Sequence, residues 1–501
     1  MLAAGATAGF GVRAMAGGVE GQPAPAPTPP PGGVPFDPAS VRARAARLAQ
    51  GAYQPPTLQA GAAAAVSYDG WRDLSRPRPD REHWIDAGSL IHLDLFPTGY
   101  IFKTPVEIYD VQGGRARQVR YDPADFVATP AVADAARSVA GLSGFRLKSP
   151  INKPDVFDEI AVFQGASYFR SLGRDQLYGL SARGVSVGTG DPGEEFPDFR
   201  AFWIERPAPG STQVVVHALL DGPSLTGAYR FTITPGASTV FDVEASLYPR
   251  HDVANGGLAP ASSMFLFGAQ DRRLVDDFRG EVHDSDGLEV RSRDNGRLWR
   301  PLTDPKDAHV SVFPVAQLAG FGLCQRARRL DDFNDLEAHY ERRPSLWVEP
   351  VGDWGAGAVH LLETPTKDEG EDNIAAFWRP AQPWPAGREV KLAYRLSWGA
   401  GPGPDGLGTV VATRAGKAPS SDDRQFVVDF AGLPANTAGM HGVVTTSAGA
   451  VGGVSLDAFP DRAQVRAGFH FTPPASGPAD IDLRLVGDSG GLSEAWRFRW
   501  T

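Results

Sequence analysis

The sequence predicts an all-β protein built as two successive β-sandwiches. Three observations carry that prediction. Apolar and polar residues alternate in runs of about five to eight, with turn residues roughly every ten positions, which is the rhythm of a sandwich or barrel. Glycine (58) and proline (43) are abundant without a collagen-like period, so they serve as turns. Long helical patterns do not alternate with the strands, which argues against a doubly wound parallel sheet. With 501 residues the chain exceeds one ordinary core, so two domains are expected.

In chain order, GQPAPAPTPPPGG (21–33) reads as an extended Pro-rich linker, and order is expected from near Phe36. The preceding leader, MLAAGATAGFGVRAMAGG, is equally compatible with the back half of an export signal and with a flexible tail. PASVRARAARLA (38–49) is a short helix with Val41, Ala45 and Leu48 on one face, and TPAVADAARSVAG (129–141) is a second candidate. The strand runs include SLIHLDLFP (89–97), YIFKTPVEIYDV (100–111), EIAVFQGASYFRSLG (159–173), QLYGLSARGVSVG (176–188) and RAFWIERP (200–207). TQVVVHALLDG (212–222), GAYRFTITPG (227–236), STVFDVEASLYPR (238–250), HVSVFPV (309–315) and GFGLCQRAR (320–328) continue the pattern. LDDFNDLEAHYERR (330–343) is the clearest helix, with Leu330, Phe333, Leu336 and Tyr340 at helical spacing and Pro344 as its stop. A break at 380–387 then divides a domain at 36–379 from a smaller one at 388–501. Runs from EVKLAYRLSWG (389–399) to SEAWRFRWT (493–501) give the smaller one the size and rhythm of an immunoglobulin-like sandwich.

The charge balance is −10, which argues against nucleic acid or an anionic membrane as the main partner and suits a neutral polyol. The single cysteine, Cys324, excludes an intramolecular disulfide and a cysteine-based zinc site. Ten histidines lack ligand spacing, so neither metal nor cofactor is expected. There is no GxSxG elbow, P-loop or HExxH helix.

The most chemically loaded stretch runs from His339 to Pro380. Tyr340, Arg343, Trp347, Trp354 and Trp378 accompany the acids of KDEGEDN (367–373). Four acids in five residues repel one another, which raises the pKa of at least one, as a general acid requires. By composition alone the same run is a solvated loop, and the aromatics suit either sugar stacking or a sandwich core. In VHDSDG, Asp284 and Asp286 fall on one face of an extended chain; the bland reading is a polar Asx turn. GASYFRSLGRDQLYGLSARG (165–184) brings Tyr168, Arg170, Tyr178 and Arg183, either paired on a strand surface or lining a polar cleft. GEEFPDFRAFWIERP (193–207) is read as structural pairing.

Taken together, VFQGASYFRSLG, YGLSARG, GEEFPDFRAFWIERP, LDGPSLTGAYRFTI, HDSD, RRPSLWVEP and EDNIAAFW, in this order, resemble the periplasmic glucan biosynthesis proteins G and D. The likeness covers residues 36–501. It implies a galactose mutarotase-like N-terminal sandwich, a C-terminal immunoglobulin-like sandwich and a periplasmic location. It also implies inverting hydrolysis or transglycosylation of a β-1,2-glucan backbone. Carried over by motif, the general acid falls on Asp372, and the base, acting through a relay, on Asp284. Glu369 matches an acidic position near the acid, and Tyr340 an aromatic at the scissile bond. Arg343, Trp347, Tyr168, Arg170 and Arg183 are expected to bind substrate. The leader departs from the twin-arginine signal usual in D members, which leaves the choice between G and D open. The competing expectation is a non-catalytic glucan-binding or assembly factor serving a membrane glucan synthase.

Overall fold

A computed structural model describes residues 32–501, save 85–87, 128, 273–274, 295, 420, 435 and 489. The leader and nearly all of the Pro-rich linker lie outside the described residues. The chain is all-β, as its alternation predicts. A sixteen-stranded sheet faces a ten-stranded one, and a four-stranded sheet covers the far end of the larger.

Two aromatic cores hold these layers together. Strands Leu142–Lys153, Val156–Gln164 and Tyr168–Ser171 of the ten-stranded sheet turn Phe145, Phe163 and Phe169 inward. They meet Phe202, Phe231, Phe241 and Trp398 of the larger sheet, with ring centroids 5.1 Å apart for Phe145–Phe202 and 5.3 Å for Phe163–Phe231. Side chains at i and i+2 share a face, so each of these rings is matched by a polar or small residue directed away from the core. The second core gathers Phe426, Phe469, Trp496 and Phe498 between the four-stranded sheet and the last strands of the chain.

The helix Pro38–Ala49 forms where expected, capped by the Asp37 side chain, and buries Val41 and Ala45; Leu48 is exposed. In 129–141 only a 3-10 turn, Pro130–Val132, and one α turn, Ala133–Arg137, are realised.

Two expectations need correcting. Val390–Gly399, read from sequence as the first strand of the smaller module, is a central strand of the large sheet. It pairs antiparallel with Thr239–Pro249 on one side and Ser345–Val351 on the other. Tyr394, Leu396 and Trp398 enter the first core, so their alternation is satisfied there. The long helix at 330–343 does not form. Leu330–Phe333 makes a single turn and Tyr340–Arg342 a 3-10 turn, with left-handed Asn334 (φ 59°) and His339 (φ 49°) between them. The Asp335 carboxylate accepts from the backbone N–H groups of Glu337 and Ala338 at 2.9 and 2.8 Å, an alternative to helical bonding that short polar side chains favour.

The large sheet runs on into the C-terminal strands, because Arg297–Pro301 pairs in parallel with Ala495–Trp500. Beside this seam the fully buried Glu494 receives Arg326 at 2.6 and 3.1 Å and the Val410 N–H at 2.7 Å. Glu494→Ala takes one of two carboxylates from buried Arg326, which keeps Glu289, removes a partner of Arg297 and strips the Val410 N–H of its acceptor. It is expected to cost roughly 2–4 kcal/mol, checked by denaturant midpoint.

Candidate active site

The site lies on the outer side of the ten-stranded sheet. On Tyr168–Ser171, Phe169 points into the sandwich core, so Tyr168 and Arg170 point out the other way. They form one wall of a cavity of about 1170 Å³. Asp284, Tyr340, Arg343, Glu369 and Asp372 also line it. Residues some 200 positions apart thus meet in one cleft.

Asp284 sits just beyond the short strand Val282–His283, its N–H held by the Met264 carbonyl at 2.8 Å. Arg343 reaches its Oδ1 at 3.4 Å. The space for that pair exists because residue 179 is glycine: a Cβ there would lie 3.2 Å from the Arg343 Cβ and 3.5 Å from the Asp284 carboxyl carbon. Burial pushes the Asp284 pKa up, and the charges of Arg343, His283 and Arg170 pull against it. Asp286, the other aspartate of HDSD, is structural. Its Oδ2 accepts from the N–H groups of Arg326 and Ala327, both at 2.9 Å.

Asp372 ends the acidic loop, immediately before strand Ile374–Pro380. Burial first, then the negative charge of Asp284, push its pKa to about 6, against the pull of Arg170 and Arg183. That effect of Asp284 on Asp372 places the two carboxyls in electrostatic reach of each other. The next residue fixes the loop. The Asn373 side chain donates to the carbonyls of Phe265 and Thr364, both at 2.9 Å, and accepts from the Phe265 N–H at 2.8 Å.

Tyr340 lies in the cavity wall with the Arg343 guanidinium 5.0 Å above its ring, and burial drives its hydroxyl pKa upward. Burial likewise pushes Tyr168 up to about 12. Both phenols therefore remain neutral hydrogen-bonding groups at any physiological pH.

Two predicted substrate contacts are displaced. Trp347 does not line the cavity. On Ser345–Val351 its neighbours Leu346 and Val348 enter the first core, so alternation sends Trp347 to the opposite side, where it joins the second core beneath Arg291. Arg183 stands behind the wall. It is buried, paired with Glu194 at 2.8 Å and Ser262 at 3.1 Å, with its guanidinium 4.9 Å from the Tyr168 ring centre.

Sequence reasoning missed several contributors. Arg279 joins three segments at the cavity rim, binding Asp277 at 2.8 Å, Asp335 at 3.0 Å and Glu369 at 2.6 Å. Its pKa is raised by those carboxylates. Phe278 and Leu336, 83% and 75% exposed, also line the opening, with Phe196 and Ile101. Apolar side chains left in water at the mouth of a polar cleft suit the apolar faces of a sugar ring. A phenylalanine flanked by charge in DDFRG was the available signal.

The family model for "Periplasmic glucan biosynthesis protein, MdoG" matches residues 36–500. The chain belongs to this family. It is 46% identical over 474 residues to a Glucans biosynthesis protein G of Rhodopseudomonas palustris (strain BisA53), covering 93% of each chain. A protein of the same name from Vibrio cholerae is 46% identical over 446 residues, spanning 87% of this chain and 82% of its own. One from Shewanella frigidimarina is 44% identical over 480 residues, spanning 93% and 85%. Family membership gives the protein a part in periplasmic glucan biosynthesis, which implies a periplasmic location. Among the described residues no helix is long and apolar enough to cross a membrane.

Proposed function

We propose that the protein cleaves or transfers the β-1,2-linked backbone of periplasmic glucans with inversion at the anomeric carbon. One observation carries the reading: two aspartates, the buried Asp284 and the partly buried Asp372, open onto one large cavity, and the charge of Asp284 helps hold the proton on Asp372. Inverting glycosidases need one carboxyl protonated and one ionised, on opposite sides of the sugar. Asp372, raised to about 6, is the proton holder. It gives its proton to the glycosidic oxygen as the C1–O bond breaks. Asp284, with Arg343 beside it, is the carboxylate. Through a relay it takes the proton of the water, or of the sugar hydroxyl, that attacks C1. Tyr340, Arg343, Tyr168 and Arg170 hold the chain, while Phe278 and Leu336 receive it at the entrance. A membrane glucan synthase is the natural source of that chain.

The test is a time course of linear β-1,2-glucan with the purified protein, product size and anomer read by NMR. Shorter or transferred products of inverted configuration are expected. Binding without any change in chain length would instead favour a non-catalytic assembly factor. The rate should fall as pH rises through about 6, because Asp372 then loses the proton it must donate. A flat profile from pH 5 to 8 would remove it from that role.

A further inference from the structure

His283, next to Asp284, is fully buried and has no part in the chemistry above. Its hydrogen bonds fix its protonation. Gln325 directs its amide nitrogen at two carbonyls, those of His283 at 3.0 Å and Tyr340 at 3.1 Å. A flipped amide would oppose oxygen to both, so the oxygen of Gln325 must be the atom 2.9 Å from His283 Nδ1. An amide oxygen only accepts, so Nδ1 carries a hydrogen. On the other side of the ring Nε2 lies 2.8 Å from the Glu281 carboxylate, also an acceptor. Each ring nitrogen therefore faces an acceptor, and a neutral imidazole could satisfy only one of them. The ring is clamped in place, stacked on Phe265 at 5.4 Å and edge-on to Phe333 at 5.1 Å.

We infer that His283 is a permanent imidazolium, a positioning residue whose buried charge keeps Asp284 a carboxylate. This rests on the reading of Asp284 as the base. A base buried in a cleft would otherwise be protonated by desolvation, and Arg343, at 3.4 Å, with the charge of Arg170 counters that from the cavity side only. His283 supplies positive charge from the strand itself. The groups that face the ring or its aspartate neighbours are Glu281, Asp284 and Asp286 on its own segment, Arg326 and Arg328 after the strand Leu318–Cys324, Tyr340 and Arg343 from the turn that follows, and Arg170 and Glu369 on the cavity wall. Glu281 is the partner that keeps the proton on the ring; its side chain is 18% exposed, so changing it disturbs the core least.

The experiment is NMR on the full chain, free of substrate. Ring 15N signals of His283, assigned by loss in His283→Gln, are expected to stay in the doubly protonated range through pH 7.5. The 13C carboxyl titration of Asp284, assigned with Asp284→Asn, is expected to move up by about one pH unit in Glu281→Gln and in His283→Gln. On the rising limb of the cleavage profile that equals an about tenfold loss of rate at fixed pH, with the plateau rate retained. A neutral His283 at pH 7, or an Asp284 midpoint unmoved in folded Glu281→Gln, would overturn the inference. Failure of the glucan-cleaving reading looks different: no turnover of glucan, with both titrations as expected.

Discussion

Asp372→Asn is expected to lower the rate of glucan cleavage by roughly 10²- to 10⁴-fold, the range a positioned general acid supplies. It should at the same time make the protein more stable at neutral pH. The carboxyl titrates near 3.8 in the unfolded chain and about 6 in the folded one. Between those values the native state binds the extra proton, so stability falls as pH rises across that window. At pH 7 the folded protein carries the full cost of an ionised, partly enclosed Asp372. The neutral amide removes it, a gain on the order of 3 kcal/mol. Below about pH 3 the carboxyl is protonated in both the folded and the unfolded chain, and the difference should vanish. Loss of activity with a raised melting temperature at pH 7 separates a catalytic acid from a structural one, which would lose both. Cleavage retained in a natively melting Asp372→Asn protein removes the residue from the acid's role.

The same reasoning explains which parts of the molecule were legible in the sequence. Strands were, because a buried face imposes a period of two on the chain itself: Phe163, Phe169 and Phe241 announce their direction through their polar neighbours. Which sheet a strand joins is not a local property. Val390–Gly399 has the alternation of any sandwich strand, and only its partners, Thr239–Pro249 and Ser345–Val351, place it in the large sheet. The stretch 330–343 failed for a related reason. Leu336 has helical spacing with Phe333 and Tyr340 but is 75% exposed, since Asp335 and Arg279 bind that loop to the cavity rim instead.

The site divides in the same way. Motif resemblance led to Asp284, Asp372, Glu369 and Tyr340, and the fold brings all four to one cavity. Trp347 was chosen for its chemistry, yet strand alternation decides its direction, and Leu346 and Val348 already claim the inner face. Arg279 could not be found, because its meaning lies in three carboxylates from three segments, at 277, 335 and 369. Single-residue plausibility does not reveal convergence of that kind.

Asn373 shows how closely the fold and the site depend on one another. Its side chain is 3% exposed and fills both its roles: two donated hydrogen bonds and one accepted. Asn373→Ala would leave the Phe265 N–H and the Phe265 and Thr364 carbonyls buried without those partners. At about 1–3 kcal/mol for each of the two buried Phe265 groups and less for the partly buried Thr364 carbonyl, a loss of roughly 3–6 kcal/mol is expected, seen as a lower denaturant midpoint. The acidic loop would also lose its anchor next to Asp372, so cleavage should drop by about tenfold or more even in the molecules that remain folded. Asn373→Asp separates these effects. An ionised carboxylate can accept from Phe265 but would oppose two carbonyl oxygens, whereas a protonated one can donate to one of them. The folded-state pKa of that aspartate is therefore raised, and its stability deficit should grow as pH rises above the unfolded value near 4. Equal stability of Asn373→Asp and the parent at pH 7 would mean that shape, not hydrogen bonding, holds the acid loop in place.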